Sequence, residues 1–309
     1  MCNLFAHAES FNKRDWTNLE ETTGTCYKDY QFIQFQGESL HDEINNIQCE
    51  ALTRLASSRT YRLIDKTDQS CGGTAIAINI GDRYFLATAG HVISEDHKYE
   101  IVLKNKMPQT IDCFHSRHFD KDTDVGLLEI PKKKKHLIDS WVTVSDIYTE
   151  IDQHKKNDVV IVGYPGEYIS QASKIQITKN TSVEFRIYNT LCYLSFTLPM
   201  EKWPTEGIET QTIEERDIFI DFDPDGNMFT SPPNTVDISP ADSMQCPELP
   251  GISGGGIWLW ESEEGVIWKP SIKLIGIQHS ALKKDQWMRG TRINCWLDLV
   301  AKKYPDLNR

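Results

Sequence analysis

Alternating apolar and polar positions dominate the chain after residue 70. Short runs rich in β-branched and aromatic residues are separated by turn residues, which is the pattern of strands. The runs GGTAIAINI and RYFLATA flank a Gly81-Asp82 pair, and a two-residue link of this kind predicts a hairpin. Further runs of this type are YEIVLKN, VGLLEI, DVVIVGY, SKIQIT, VEFRIY, LCYLSFT, DIFIDF, GGGIWLW, KLIGIQHS and RGTRIN. The pattern predicts a mostly β chain whose strands are close in number to those of two small barrels.

Two stretches show a helical spacing of apolar residues instead. The first is SLHDEINNIQCEALTRLASS over 39–58, where Ser39 and Asp42 fit a capping box. Its apolar stripe comprises Ile44, Ile47, Ala51, Leu52 and Leu55. This spacing predicts an amphipathic helix that packs on the β-rich part of the chain; a helix that binds a partner is the alternative. The second stretch, 294–304, has Asn294 as its cap and Pro305 just beyond, and predicts a C-terminal helix.

The same pattern divides the chain into segments. Residues 1–65 form a predicted N-terminal helical extension, and residues 66–309 form a predicted β-rich domain. The strands place a first barrel at 70–135 and a second barrel at 140–293. Residues 200–245 are richer in Pro, Asp and Glu than their flanks, which predicts an insertion or a loop close to the functional site. The run PKKKK at 131–135 is interpreted as a solvated turn.

Charge and composition narrow the function classes. The chain has 33 Lys and Arg against 45 Asp and Glu, a net charge of −12, which argues against nucleic-acid binding through phosphate contacts. Mean hydropathy is −0.46, and no uncharged run reaches the roughly 18 residues of a membrane span. Charged residues interrupt the N-terminus where a signal peptide is apolar. The eight cysteines include no CxxC pair, which favours free thiols. We therefore expect a cytoplasmic protein with no membrane or nucleic-acid partner.

Three short motifs carry candidate chemistry. They are TAGHV around His91, DTDVGLL around Asp124 and GISGG around Ser253. A serine hydroxyl needs a base to become a nucleophile, an imidazole supplies that base, and a carboxylate fixes the tautomer of the ring. The glycines allow a tight turn that directs the N–H groups of Gly251 and Ser253 to one point, where they form an oxyanion hole. These residue types predict acyl transfer through Ser253.

The motifs, in the order His, Asp, Ser, resemble those of the trypsin/chymotrypsin-like serine peptidases. The sequence looks closer to compact HtrA-like and other bacterial members than to secreted digestive enzymes. The resemblance covers about 70–168 and 246–304. It implies an all-β fold of two six-stranded antiparallel β-barrels, with His91 as general base, Asp124 as orienting carboxylate and Ser253 as nucleophile. It also implies an oxyanion hole formed by Gly251 and Ser253.

The resemblance further implies where the substrate binds. The run LIGIQHS over 274–280 is similar to the strand that pairs with the substrate backbone and walls the specificity pocket. Gly290 matches the glycine opposite that strand. The predicted substrate-binding residues are Gln278, His279, Ser280, Gly290 and Glu248. Glu248 and Gln278 favour a basic or polar substrate side chain, whereas the His279 ring faces either the site or solvent.

Two departures from the family bear on activation. Val92 stands where secreted members have a disulfide-bonded cysteine, which agrees with a cytosolic chain. Ile252 stands where zymogens carry an Asp that pairs with a newly cut N-terminus, so activation through that ion pair is not available. The chain is therefore either active as made or gated by a regulatory protein partner or by its 200–245 segment.

Other functions fit parts of the sequence. Gly251-x-Ser253-x-Gly255 also fits the nucleophile elbow of α/β-hydrolases, but in that fold the Asp and His follow the Ser, and only 56 residues remain. Residues 221–227 resemble the start of a calcium loop, but Pro232 stands where its final Glu is required. Cys113, His115 and His118, with Asp120 nearby, have no second cluster that would complete a tetrahedral metal site. No metal or organic cofactor is therefore expected. The predicted function is a serine endopeptidase acting on protein or peptide substrates; the alternative is a catalytically inactive, protease-like binding module.

Overall fold

A computed structural model describes most of the β-rich part of the chain. The described residues are 40–66, 72–94, 98–103, 110–111, 114–166, 173–178, 181–185, 190–205, 208, 210–223, 228–231, 239–240, 249–260 and 271–308. The chain divides into two compact units, Met1–Glu43 and Ile44–Arg309, and the sheets lie in the second. None of the helices found in these ranges is both long and apolar enough to cross a membrane.

The first sheet is antiparallel throughout. Its strands are β1 (Thr60–Asp65), β2 (Gly72–Ile80), β3 (Arg83–Ala89), β4 (Tyr99–Val102), β5 (Thr110–Ile111), β6 (Ser116–Asp120) and β7 (Val125–Ile130). The order across the sheet is β5-β4-β1-β2-β3-β7-β6. Ile80 pairs with Arg83 across Gly81 and Asp82, which confirms the predicted hairpin. Gly81 has a φ of +60°, a conformation that its lack of a side chain favours.

The second sheet is also antiparallel. Its strands are β8 (Asp158–Gly163), β11 (Thr190–Phe196), β12 (Asp217–Asp221), β13 (Met228–Ser231), β14 (Ser239–Pro240), β15 (Gly256–Trp260), β16 (Ile272–Leu282) and β17 (Trp287–Arg292). The order is β12-β17-β16-β15-β8-β11-β13-β14, and a bridge between Thr197 and Ile220 joins the end of β11 to β12, so the sheet curls. Strands β9 (Ser173–Thr178) and β10 (Thr181–Phe185) form a separate pair.

The predicted fold class, two curled antiparallel sheets with few helices, is confirmed. The described strands number seven and eight rather than six in each sheet. The additional strands lie at sheet edges: β5 and β14 have two residues each, and β13 lies beside β14. Removing these three leaves six strands in each sheet, so the difference lies in the edges and not in the main strands.

Two predicted boundaries differ from the structure. Residues 60–65, assigned to the N-terminal extension, form β1 and pair with both β2 and β4 inside the first sheet. Residues 217–221, assigned to the 200–245 insertion, form β12, which pairs with β17 and is mostly buried. Strand β1 pairs with the next strand, β2, and with the more distant β4, whereas β12 pairs with β17, about 70 residues later. Local composition does not record which sheet a strand joins.

Two helices pack on the sheets through apolar side chains, although Ile47 of the stripe predicted for the first helix is 61% exposed. Helix α1 (Leu40–Ser58) buries Leu52 and Ala56, while α2 (Ile293–Lys303) buries Trp296, Leu299 and Val300, all in one core cluster. Full burial of a side chain such as Leu or Val contributes about 1.5–3 kcal/mol. Both helices were predicted from their spacing, and the packing of α1 favours the bracing role over a partner-binding one. The indole N–H of Trp296 also donates to Gly126 O at 3.1 Å, which ties α2 to β7.

Candidate active site

Strand pairing in the first sheet brings His91 and Asp124 together. Strands β3 and β7 are antiparallel neighbours, with Ala89 opposite Val125. The residues that follow β3 therefore lie beside those that precede β7. His91 begins a short 3₁₀ turn just after β3, and Gly90 N donates to Asp124 O at 2.9 Å. Two residues separated by 33 positions thus meet at one edge of the sheet.

The Asp124 carboxylate engages both the ring and the backbone of His91. His91 Nδ1 lies 2.9 Å from Asp124 Oδ2, and His91 N donates to Asp124 Oδ1 at 2.8 Å. Burial disfavours the charged carboxylate, but the hydrogen bonds and charge interactions with His91, assisted by His279, outweigh it, so the pKa of Asp124 lies below its usual value. An ionised Asp124 accepts from Nδ1–H, which leaves Nε2 of His91 as a proton acceptor.

The loop that carries Asp124 is fixed to the second sheet. Thr291 on β17 donates its hydroxyl to Thr123 O at 2.6 Å, and Arg216 donates to Asp122 O at 3.0 Å. Asp124 itself has a φ of +49°, a left-handed conformation that Asp adopts more readily than most residues. Thr291 lies on β17 and Arg216 directly before β12, in the second sheet and beside it, and β15 of that sheet follows the serine loop. The two hydrogen bonds therefore set the carboxylate relative to that loop.

Ser253 lies in the same cluster but is not hydrogen-bonded to His91. Its hydroxyl donates to His279 O at 3.1 Å, and no hydrogen bond joins it to the His91 ring in the described structure. His279 also places its ring nitrogen Nδ1 3.7 Å from Asp124 Oδ2. His279 therefore links the Ser253 loop to the Asp124 carboxylate. The structure brings His91 and Asp124 into direct contact and leaves the Ser253 hydroxyl on a neighbouring carbonyl.

The glycine-rich loop presents two N–H groups with no acceptor in the described part of the chain. They belong to Gly251 and Ser253, whereas Ile252 N donates to Leu249 O at 3.1 Å and Gly254 N donates to Gln278 O at 2.7 Å. Gly251 has a φ of +100°, and a Cβ there would lie 2.6 Å from Arg62 Nη1. Paired N–H donors of this kind are what an oxyanion hole requires.

Gly254 is required because two segments of the chain approach each other closely at this position. Its φ is +92°, and a Cβ at this position would lie 2.0 Å from Thr74 O and 2.2 Å from Thr88 Oγ1. Both of those atoms belong to fully buried residues of the first sheet. The loop therefore passes directly against β2 and β3, and this contact places Ser253 beside the strand that leads to His91.

The predicted substrate-binding residues do not share one environment in the structure. Gln278 pairs with Gly290 across β16 and β17, is buried, and donates its side-chain N–H to Ser280 O at 3.1 Å. A Cβ at Gly290 would lie 2.3 Å from Ile257 Cδ1, so this glycine packs against the core. The His279 ring lies against Asp124. Glu248 lies outside the described residues. Their roles in substrate binding stay predictions.

Sequence reasoning missed two residues that contact the loop, Arg62 and Thr74. Both are buried, and both donate to Gly251 O. In the run TYRLID an arginine between apolar residues suggests a solvent-facing position, yet Arg62 is only 1% exposed. The contact joins positions separated by 189 residues, and no local signal in the sequence indicates it. In the described residues no group of three or more His, Cys, Asp or Glu side chains is placed to hold a metal ion.

Comparisons with known proteins give similar folds at low identity. No protein-family model and no curated protein matches the chain. HBP, the human heparin binding protein, is 12% identical, with 81% of this chain and 93% of that chain covered at a TM-score of 0.43. The serine protease domain of the Sesbania mosaic virus polyprotein is 9% identical, with 80% and 91% covered at a TM-score of 0.39. Kallikrein-related peptidase 10 is 10% identical, with 82% and 98% covered at a TM-score of 0.43. These values do not assign an activity, a substrate or a ligand to this chain.

Proposed function

We propose that this chain is a serine endopeptidase. The observation that carries the proposal is the 2.9 Å contact between His91 Nδ1 and Asp124 Oδ2 beside the loop of Ser253. This contact favours the tautomer in which His91 Nε2 accepts a proton, as a base for a serine nucleophile must. The N–H groups of Gly251 and Ser253, without acceptors in the described residues, supply the donors that a developing oxyanion needs.

The proposed mechanism begins with a rotation of the Ser253 hydroxyl from His279 O toward His91 Nε2. The Ser253 oxygen then bonds to the substrate carbonyl carbon while Nε2 takes the hydroxyl proton, and the oxyanion binds the two loop N–H groups. Breakage of the C–N bond leaves an ester on Ser253, and His91 returns its proton to the departing amine. A water molecule, deprotonated by His91, hydrolyses the ester and restores the serine.

One observation favours a second candidate function, a protease-like binding module without turnover. The Ser253 hydroxyl is bonded to His279 O rather than to the His91 ring. A module of this kind keeps the substrate groove and the glycine loop but never transfers the serine proton. The two functions differ in whether the Ser253 oxygen reacts, which a covalent probe measures directly.

Labelling by a fluorophosphonate probe, together with hydrolysis of a peptide library, tests the proposal. The wild-type chain should label and cleave, Ser253→Ala should do neither, and His91→Ala should lose on the order of 10⁶-fold in kcat. Ser145→Ala, an exposed serine, is the matched control and should behave as wild type. An unlabelled, correctly folded wild-type chain would instead support the binding module, and labelling that persists in Ser253→Ala would refute the nucleophile assignment.

Several finer properties belong to the same proposal. A cytoplasmic location without a nucleic-acid or membrane partner is supported by the net charge of −12 and the mean hydropathy of −0.46. The TAGHV and GISGG motifs support a closer relation to HtrA-like members, and Gln278 with Glu248 supports a basic or polar substrate side chain. Regulation by a protein partner would act through α1 or through parts of 200–245 outside β12. Cleavage-site profiling of wild type against Ser253→Ala tests the specificity.

A further inference from the structure

Two buried side chains of the first sheet bind one carbonyl of the serine loop. Arg62 on β1 donates through Nη1 to Gly251 O at 3.2 Å, to Tyr164 O at 2.9 Å and to Gly73 O at 3.4 Å. Thr74 on β2 donates its hydroxyl to Gly251 O at 2.8 Å and accepts from Tyr164 N at 2.9 Å. Arg62 is 1% exposed and Thr74 is fully buried. The Gly251 carbonyl is therefore fixed by donors that solvent cannot replace.

The neighbouring carbonyls of the loop are fixed as well. Pro250 O accepts from Gly166 N at 2.8 Å, and Ile252 O accepts from Gly255 N at 2.8 Å. In a trans peptide unit the N–H points opposite to the C=O. Fixing Pro250 O therefore directs the Gly251 N–H away from Gly166, and fixing Ile252 O directs the Ser253 N–H away from Gly255. Gly251 O shares its peptide unit with Ile252 N–H, so Arg62 and Thr74 act by fixing the peptide that lies between the two donors. The carbonyls that point inward and the two N–H groups that point outward therefore belong to the same conformation of the loop.

Arg62 connects the parts of this arrangement. Its guanidinium joins Gly251 O to Tyr164 O, and Tyr164 lies two residues before the Gly166 N–H that holds Pro250 O. Hydrogen bonds from a charged donor are stronger than neutral ones, and a buried carbonyl deprived of its donor is costly. Ile252 is 3% exposed in the second-sheet core and brings no carboxylate to the loop. The fixed carbonyl thus depends on Arg62 and Thr74.

We infer that Arg62 and Thr74 are positioning residues that set the oxyanion-binding N–H groups of Gly251 and Ser253. This inference rests on the proposed peptidase function and gives it a mode of activation. The side chains that orient the loop come from strands β1 and β2 of the same chain, so neither N-terminal processing nor a bound partner is needed to form the donor pair.

Thr74 offers a matched pair of variants for the test. Thr74→Val keeps the shape of the side chain but removes the hydroxyl, whereas Thr74→Ser keeps the hydroxyl. Arg62→Met removes the donors while filling similar space. Thr60→Val, at a buried threonine whose hydroxyl donates to Ala56 O at 2.9 Å, is the control for loss of a buried, hydrogen-bonded hydroxyl away from the loop. Each variant is compared with wild type in melting temperature, in kcat and KM for a peptide amide, and in hydrogen exchange of residues 249–256.

We expect Thr74→Val and Arg62→Met to lower kcat on the order of 100-fold with little change in KM, since a displaced donor weakens binding of the transition state and not of the ground state. Both should speed hydrogen exchange of 249–256, while Thr74→Ser and Thr60→Val should resemble wild type in kcat and in this exchange. If Thr74→Val fails to fold, the comparison of Arg62→Met with Thr74→Ser in kcat and hydrogen exchange tests the inference in the same way. Folded variants with lowered melting temperatures but unchanged kcat and exchange would overturn the inference.

This experiment distinguishes failure of the proposed peptidase function from failure of the positioning role of Arg62 and Thr74. A wild-type chain that neither cleaves peptides nor labels at Ser253 would defeat the peptidase function. Hydrogen exchange of 249–256 would still test the loop contact: faster exchange in both Thr74→Val and Arg62→Met would support it, and unchanged exchange would overturn it.

Discussion

At the scale of single residues, the carboxylate of Asp124 is shared between two imidazole rings. Its Oδ2 atom lies 2.9 Å from His91 Nδ1 and 3.7 Å from His279 Nδ1. Burial lowers the pKa of His279 to about 4, against the opposing effect of Asp124, so this second ring is neutral near pH 7. A neutral His279 can occupy the space beside the carboxylate without competing for its charge. The His91 ring is half exposed, and it is the ring to which the proposed mechanism assigns proton transfer.

The lowered pKa of His279 makes a prediction about stability. Between pH 6.5 and pH 4 the unfolded chain protonates this residue while the folded chain does not, so the free energy of unfolding should fall as pH drops through that window. The contribution of His279 is on the order of 3 kcal/mol. His279→Gln should therefore show a weaker loss of stability between pH 7 and pH 4.5 in urea unfolding. His136→Gln, at an exposed position, is the control, and equal pH dependence in all three proteins would contradict the prediction.

At the scale of elements, the sequence predicted most strands and both helices but not the membership of β1 and β12. Alternation of apolar and polar residues identifies a strand with one solvent-exposed face, yet all six residues of β1 are buried, including Arg62 and Asp65. Its polar residues make contacts that only the folded chain provides. By contrast, the motifs predicted His91, Asp124 and Ser253 as candidate site residues, because motif spacing and residue type are local features of the sequence. The positions of Arg62 and of the His279 ring depend on tertiary packing, which the sequence pattern does not contain.

The assignment of β12 to the second sheet gives a measurable consequence. Phe219 is fully buried and its ring lies 5.1 Å from Trp203 and 5.6 Å from Trp287 between ring centroids. Phe219→Ala should lower the free energy of unfolding by about 3–5 kcal/mol, because it leaves a cavity among these rings. Ile213→Ala, at a position 41% exposed, should change it by less than about 0.5 kcal/mol. Similar small effects for both substitutions in urea unfolding would show that β12 is dispensable, as an insertion would be.

At the scale of the whole molecule, the net charge of −12 bears on how the proposed peptidase would meet its substrates. A negative field raises the encounter rate with cationic peptides and lowers it with anionic ones, and salt screens both effects. The site itself contributes in the same direction, since Asp124 is held ionised while His279 stays neutral near pH 7. The proposed preference for basic or polar side chains therefore has two sources, pocket contacts and the long-range field, and ionic strength separates them.

Matched peptides that share one cleavage sequence and differ only in remote flanking lysines or glutamates would measure the field alone. For the lysine-flanked peptide, kcat/KM should fall as ionic strength rises from about 0.01 to 0.5 M, and for the glutamate-flanked peptide it should rise, with a combined change on the order of 10-fold. A neutral-flanked peptide controls for salt effects on the enzyme itself. The two charged peptides should converge at high salt because the Debye length then falls below the distance between the flanks and the surface. Parallel salt responses for all three peptides would mean that the charge of the molecule does not act on its substrates, and that any preference for basic residues comes from contacts such as those of Gln278.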